Sequence, residues 1–407
     1  MAVVTWDGSE GHGQWAHGAN WDSGSAPGAS DDVVIPDTSS LPNPELAADV
    51  TINSLTLLAN ATIVGNASYT ITCDGEADGT GATTSGYAVH MAGNGTIGTD
   101  LNITVTTAAT TLVSLVPASG TVKNFTYNAS GQGCTGVGAT TINGNLTITA
   151  GTFQMYNDVA LTVTGDVDIA TAGTLTGNAS AVTVGAISAT GSGTYNATTH
   201  ANGTIINSRH SSLGRGLSMG SVDRLVHNNG KIVFQGASAI QLILINGTAT
   251  SSVGLYDVEI NSTAAADCKL TGPIDIYRNL TITAGELDTN SSDNHALTVD
   301  GDVNIANGGT LTGNASAISM NSLTLGESSA GGTYNATSGT TTITGYRAST
   351  NNAIYANGPI VHNNGTFAFT NSANYSGIEI QIESGAGSAG TYFNNLTFSG
   401  NSTYRFP

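Results

Sequence analysis

Charge is scarce in this sequence. Asp, Glu, Lys and Arg together make up 9% of its 407 residues, against about 25% in an ordinary soluble domain. What charge there is leans acidic, 28 Asp and Glu against 9 Lys and Arg, and residues 1–122 contain no Lys or Arg at all. That balance excludes nucleic acid as a partner, because phosphate binding needs clustered Lys and Arg. It disfavours anionic membrane surfaces for the same reason. No run approaches eighteen apolar residues, so no membrane insertion is expected. Aromatics are only 6%, too few to anchor a series of ordinary cores. Cysteine is limited to Cys73, Cys134 and Cys268, far apart and without metal-ligand spacing. Three such residues form no disulfide framework, and buried small hydrophobes are the expected role. A mean hydropathy of +0.03 is too apolar for a charged disordered chain. The chain folds, and with neither a metal nor a cofactor motif in view.

Internal repetition fills the space that charge leaves. Asn145-Leu146-Thr147-Ile148-Thr149-Ala150-Gly151 recurs 134 residues later as Asn279-Leu280-Thr281-Ile282-Thr283-Ala284-Gly285. Gly165-Asp166-Val167 recurs as Gly301-Asp302-Val303, Thr174 to Ser180 as Thr310 to Ser316, and Gly193 to Thr198 as Gly332 to Thr337. Val226-His227-Asn228-Asn229-Gly230 matches Val361-His362-Asn363-Asn364-Gly365, and Cys134 maps onto Cys268. Order is kept throughout, so a unit of about 135 residues is duplicated. The division is 1–40, an opening module; 41–123, first coils; 124–256 and 257–394, the two repeat units; and 395–407, the start of a third. Cys134 and Cys268, a full unit apart, are expected to stay unbonded.

Within each unit, short alternating segments such as Leu146-Thr147-Ile148, Leu161-Thr162-Val163 and Val182-Thr183-Val184 are separated by Gly, Asn or Asp. Alternation of apolar and polar residues marks half-buried strands. The β-branched, Gly-rich composition opposes helix. Two all-β architectures fit: tandem β-sandwich domains, or a β-solenoid (β-helix) rod. Sandwiches want large core residues and aromatic anchors. A solenoid has a narrow interior that Val, Ile, Leu and Thr fill, with Gly and Asn turning its corners and Asn and Thr stacking between coils. The solenoid is therefore predicted, at about 20–25 residues per coil and roughly six coils per unit. Inward positions are predicted at Leu146, Ile148, Leu280 and Ile282.

Residues 1–40 differ from the rest and hold all three tryptophans. They read Trp6-Asp7-Gly8, Gln14-Trp15, Asn20-Trp21, Pro27 and Asp31-Asp32-Val33-Val34-Ile35-Pro36. This resembles the opening module of bacterial and phage β-solenoid surface proteins, and the downstream phrases resemble repeats of adhesins and phage fibre proteins. The resemblance covers most of the chain; it is specific for architecture and implies projection, decoration or attachment as function. Trp6, Trp15 and Trp21 are expected to plug the open first coil, with Pro27 and Pro36 stopping strand addition. The alternative is a platform of Trp faces for sugar rings.

Other constellations are weaker. The carboxylate pairs Asp31/Asp32, Asp166/Asp168 and Asp300/Asp302 have spacings that acid–base cleavage of a polysaccharide could use, but turn formation or a solvated face is the better reading. Asp74-Gly75-Glu76-Ala77-Asp78 lacks the pattern of an EF-hand. His227 and His362 are read as turn residues. Arg209, Arg215 and Arg224 lie in an insertion that could contact an acidic neighbouring subunit. The numerous sequons follow from composition. No secretory leader is legible in Met1 to Asp7, so the chain is expected to follow a removed leader or to reach the exterior without one. More protein, or a neighbouring subunit, is expected beyond Pro407. The expected function is that of a non-enzymatic structural or attachment protein of a virion surface. Its expected partners are other virion proteins, its own copies (a homo-oligomer, for instance a trimer) and host carbohydrate. A secreted bacterial adhesin and a polysaccharide depolymerase are the alternatives.

Overall fold

The computed structural model describes residues 1–65, 69–92, 95–98, 101–114, 122–236, 241–262, 267–326, 330–373, 375–383 and 393–407. Among these there is no α-helix, only strands and the short 3-10 turns Gly18–Asn20 and Val222–Arg224. The strands pair in parallel from coil to coil, forming a parallel β-solenoid of about 14 turns. The predicted solenoid is present, and the tandem sandwiches, which would be antiparallel, are not. The chain divides into two compact units, Met1–His200 and Ala201–Pro407.

In the first unit, Ile71, Ile103, Phe125, Leu146, Val167 and Ile187 occupy successive rungs of one inward column. Val105, Tyr127, Ile148 and Ile169 form the next column on the same face, and Leu161 and Val182 stack on another face. All are buried. In the second unit, Val258, Leu280, Val303, Leu323, Ile354 and the buried Ile380 follow one another in the same way. The four inward positions predicted from alternation are buried. Parallel rungs in register explain why: each apolar side chain covers the one beneath it, so a short alternating triplet becomes a continuous core.

The duplicated phrases are duplicated structures. Gly151 and Gly285, closing the two LTITAG copies, have φ of 80° and 82°; Asn178 and Asn314 have 49° and 48°. Asn228 and Asn229 have 50° and 60°, matching 46° and 62° at Asn363 and Asn364. Asn tolerates this left-handed region better than other side chains. Gly301 is required for a different reason: a Cβ there would stand 2.0 Å from the Arg278 carbonyl oxygen.

Polar stacking follows the rungs as well. Asn124 Nδ2 donates to Asn102 Oδ1 at 2.8 Å, while Asn124 Oδ1 accepts from Asn145 N at 2.8 Å. Asn145 Oδ1 in turn accepts from Asp166 N at 2.9 Å. The second copy repeats this, Asp257 Oδ1 accepting from Asn279 N at 3.1 Å and Asn279 Oδ1 from Asp302 N at 3.0 Å.

A third occurrence of the repeat escaped the sequence reading. Asn53-Ser54-Leu55-Thr56-Leu57 is identical to Asn321-Ser322-Leu323-Thr324-Leu325. Asp32 Oδ1 accepts from Asn53 Nδ2 and Ser54 Oγ, both at 2.6 Å. Asp302 Oδ1 accepts from Asn321 Nδ2 and Ser322 Oγ, both at 2.7 Å. The same Asp-over-Asn-Ser contact therefore ties adjacent rungs in both units.

The three tryptophans form one cluster. Trp6, Trp15 and Trp21 are 1%, 3% and 2% exposed. Trp21 meets Trp6 and Trp15 edge-on, with centroids 5.0 and 4.8 Å apart. Trp21 Nε1 donates to the Trp15 carbonyl and Trp6 Nε1 to the Pro42 carbonyl, each at 2.8 Å. Buried faces are not a platform for sugar. The cluster also fastens the first strand, Ala2–Thr5: Thr5 N donates to Asp22 Oδ1 at 2.8 Å and the Thr5 carbonyl accepts from Asp22 N at 3.0 Å. Buried Asn20 braces the loop, its Oδ1 accepting from Glu10 N and its Nδ2 donating to the Gln14 carbonyl. Pro36 follows the strand Asp31–Ile35 and Pro27 precedes it, both half-buried, on the rung next to Ala2–Thr5.

Candidate functional site

Alternation places one residue of each triplet outward. In the second unit the outward residues of one face are Glu259, Thr281, Asn304, Thr324, Tyr355 and Gln381, in register on six successive rungs. At about 4.8 Å per rung they span about 24 Å. Between the strands Thr340–Ile343 and Asn352–Ala356 the chain makes an excursion, and hydrogen bonds pin it. Gly345 N donates to the Asn321 carbonyl and Asn321 Nδ2 to the Tyr346 carbonyl, both at 3.0 Å. Arg347 N donates to the Asn352 carbonyl at 2.8 Å. Thr324, outward by alternation, is only 3% exposed.

The result is a groove. One cleft of about 570 Å³ is lined by Thr324, Arg347, Thr350, Asn352, Tyr355, Glu379 and Gln381. A second of about 140 Å³ is lined by Asn279, Thr281, Asp302, Asn304, Thr324 and Arg347. They share Thr324 and Arg347 and so lie side by side along the rungs, meeting where Thr324 is covered. Eight of the eleven lining residues carry a hydroxyl or an amide, and Arg347, Glu379 and Asp302 are charged. Asn352 Nδ2 donates to Gln381 Oε1 at 3.3 Å, and Gln381 Nε2 to Glu383 Oε1 at 2.6 Å. Asn304 Oδ1 is buried without a hydrogen-bond partner, which is costly for an acceptor unless a donor arrives. Sequence reasoning missed this groove, although aligning the triplets Leu280-Thr281-Ile282, Val303-Asn304-Ile305 and Leu323-Thr324-Leu325 would have lined up its floor.

A further cleft of about 300 Å³ is lined by residues that include Gly247, Pro273, Asp275 and Thr298. Asp275 Oδ2 accepts from Ala249 N at 2.9 Å, whereas Oδ1 is buried and unpartnered. Burial raises the Asp275 pKa above the ordinary carboxylate value, with the Asp300 charge adding to the effect. A native pKa above the unfolded one means that the native state holds more protons in that window. Stability is then intact below the unfolded pKa and falls as pH rises through the native one. Asp275→Asn is expected to raise the unfolding midpoint at pH 7, and thermal melts should show the gain vanish below about pH 3. An unchanged difference across that range would contradict the assignment.

The residues singled out from sequence are dispersed. Arg209 is exposed, whereas Arg215 and Arg224 are half-buried, each with a buried, unpartnered Nε. The Arg215 carbonyl accepts from His210 N at 2.7 Å, closing the loop that carries it. His227 donates or accepts at both ring nitrogens: Nδ1 accepts from Asn229 N at 2.9 Å and Nε2 meets the Thr250 carbonyl at 3.1 Å. His362 Nδ1 accepts from Asn364 N at 2.9 Å. Both are turn-stabilising, as expected. Asp166, by contrast, is 4% exposed and does not lie on a solvated face. Asp32 and Asp302 each use Oδ1 for the Asn-Ser contacts described above, and Asp32 Oδ2 is buried without a hydrogen-bond partner. Asp78 closes a local turn on Thr80 N at 2.8 Å. The three cysteines are buried and stand outside any disulfide, and burial pushes the Cys73 and Cys134 thiols up, so both stay protonated.

Glu10, His12 and His17 were not singled out. Their donor atoms lie within 4.8 Å of one another. His12 Nδ1 is already engaged by Gln14 N at 3.4 Å and Asn20 Nδ2 at 3.2 Å, which gives the ring a part in holding the loop.

Compared with known protein families, with curated proteins and with solved structures, the chain matches none of them.

Proposed function

We propose that this chain is a structural attachment protein of an exterior surface, with a phage virion as its setting, and that it works by multivalent contact without turnover. The carrying observation is the row Glu259, Thr281, Asn304, Tyr355 and Gln381, which, with the covered Thr324 between Asn304 and Tyr355, stands in register on successive rungs and points outward. Many weak hydrogen bonds presented on a repeating frame raise avidity without one strong site. The resemblance of the Trp6 to Pro36 module to phage and bacterial surface solenoids supports the setting. The partners on this reading are further virion proteins or copies of the same chain, with Arg209, Arg215 and Arg224 at the contact, and host carbohydrate. A secreted adhesin would use the same surface on a bacterial cell.

The acidic stretch before Lys123 suits a basic docking surface, whose grip weakens as salt screens it. Antibody against the solenoid is expected to decorate intact particles or cell surfaces in electron micrographs, and the protein to detach as salt is raised. Labelling confined to cytosol would defeat this reading. The competing depolymerase reading has one observation in its favour, the raised pKa of Asp275 in its cleft. Release of reducing ends from a polysaccharide, abolished by Asp275→Asn, would establish it.

A further inference from the structure

We infer that the groove of the second unit binds a neutral linear polysaccharide, whose chain lies across the rungs over Thr281, Asn304, Thr324, Tyr355 and Gln381. This rests on the attachment reading and deepens it by naming the site and the ligand class.

The chemistry of the lining selects the ligand. Hydroxyls of Thr281 and Thr350 and amides of Asn304 and Gln381 are each donor and acceptor, the complement of sugar hydroxyls. Asn304 lines the smaller cleft as a half-buried residue, and the amide group it brings there is the kind that sugar hydroxyls pair with. Tyr355 brings an apolar ring with a polar tip, a combination that covers the C–H face of a pyranose and still hydrogen-bonds its rim. The charges that line the groove are Arg347 against Asp302 and Glu379. That net acidic lining repels uronate, sulfate or phosphate groups and leaves a neutral chain as the fit.

Geometry selects a polymer. From Thr281 to Gln381 the row covers four rung steps, about 19 Å, and each step is close to the length of one sugar residue. A single sugar meets one or two rungs; a chain that passes the covered Thr324 meets the other four. Affinity therefore grows with chain length until the row is filled, by the effective-concentration effect of linked contacts. The excursion carrying Arg347 and Thr350 supplies a side wall, so the chain is held from beneath by the rungs and from one flank.

Calorimetric titration of the full chain tests this. The probes are hexaoses of glucose, mannose, galactose and N-acetylglucosamine, the matching dimers, and hexagalacturonate as the anionic comparison. At least one neutral hexaose is expected to bind, its dimer more than tenfold more weakly, and hexagalacturonate not at all. Tyr355→Ala and Asn304→Ala are each expected to weaken binding at least tenfold with the melting temperature unchanged, and Tyr355→Phe to retain most of it. No neutral hexaose binding with a Kd below about 10 mM overturns the inference. So does a preference for hexagalacturonate, or indifference to both alanine variants. The two readings separate cleanly. If a variant carrying both Tyr355→Ala and Asn304→Ala still attaches to its surface like the wild type, the groove assignment falls and attachment stands. If the wild type binds through the groove but also releases reducing ends, the groove stands and attachment without turnover falls.

Discussion

Ile282→Asp is expected to unfold the Ala201–Pro407 unit. Ile282 is fully buried, with Ile260 on the rung before it and Ile305 on the rung after. The substitution puts a carboxylate into a column of aliphatic side chains that offers it no cation and no donor. Burying an unpaired charge, or deforming the column to let water reach it, costs about 4 kcal/mol or more. A solenoid amplifies the loss, because each coil is stabilised chiefly by its two neighbours and one broken rung strips both of an interface. Ser319→Asp is the comparison: Ser319 is the outward member of its triplet, between Thr298 and Thr342, and a solvated charge there should cost no more than about 0.5 kcal/mol. Circular dichroism and urea unfolding of the two variants decide the point. Equal stability of the two would mean that alternation does not assign the interior.

Trp21→Ala comes second in expected size, at about 3–5 kcal/mol. Trp21 is the middle ring of the cluster, in edge contact with both Trp6 and Trp15, and its indole N–H holds the Trp15 carbonyl. Removing it leaves a cavity between two aromatic rings and an unmet carbonyl. It also loosens Asp22, the next residue, which hydrogen-bonds both backbone groups of Thr5. Unpaired groups on the edge of the first strand invite association with other strands. Urea unfolding followed by the fluorescence of Trp6 and Trp15 should show the Met1–His200 unit melting earlier, with greater aggregation at neutral pH. A loss below about 1 kcal/mol would show that the cluster does not secure the opening rungs.

Much of this architecture was legible without coordinates, and for one reason. In a parallel solenoid the repeating contact is between residues at matching positions of consecutive coils, so a pattern of three residues already states which side chain faces in. Leu146, Ile148, Leu280 and Ile282 were assigned that way and are buried. Gly and Asn were expected to turn the corners, and Asn178 and Asn314 do so in the left-handed region, which few other side chains accept.

Function was less legible, because a surface depends on which rungs lie together and on what folds over them. The Thr281–Gln381 row becomes a groove only because the Arg347 excursion stands beside it and buries Thr324, and nothing local to either segment states that contact. Tryptophan composition alone left a plug and a sugar platform both open; burial of all three rings excluded the platform. Asp166 and Asp302 read as solvated turn residues, yet one is buried and the other ties rungs together through Asn321 and Ser322. The sequence by itself determined the coil, its interior and its corners, since these follow from short-range alternation and backbone preference. Only the tertiary structure decided the groove, the closed tryptophan cluster and the desolvated environment of Asp275, because each depends on side chains more than a coil apart in sequence or on loops whose path the alternation does not encode.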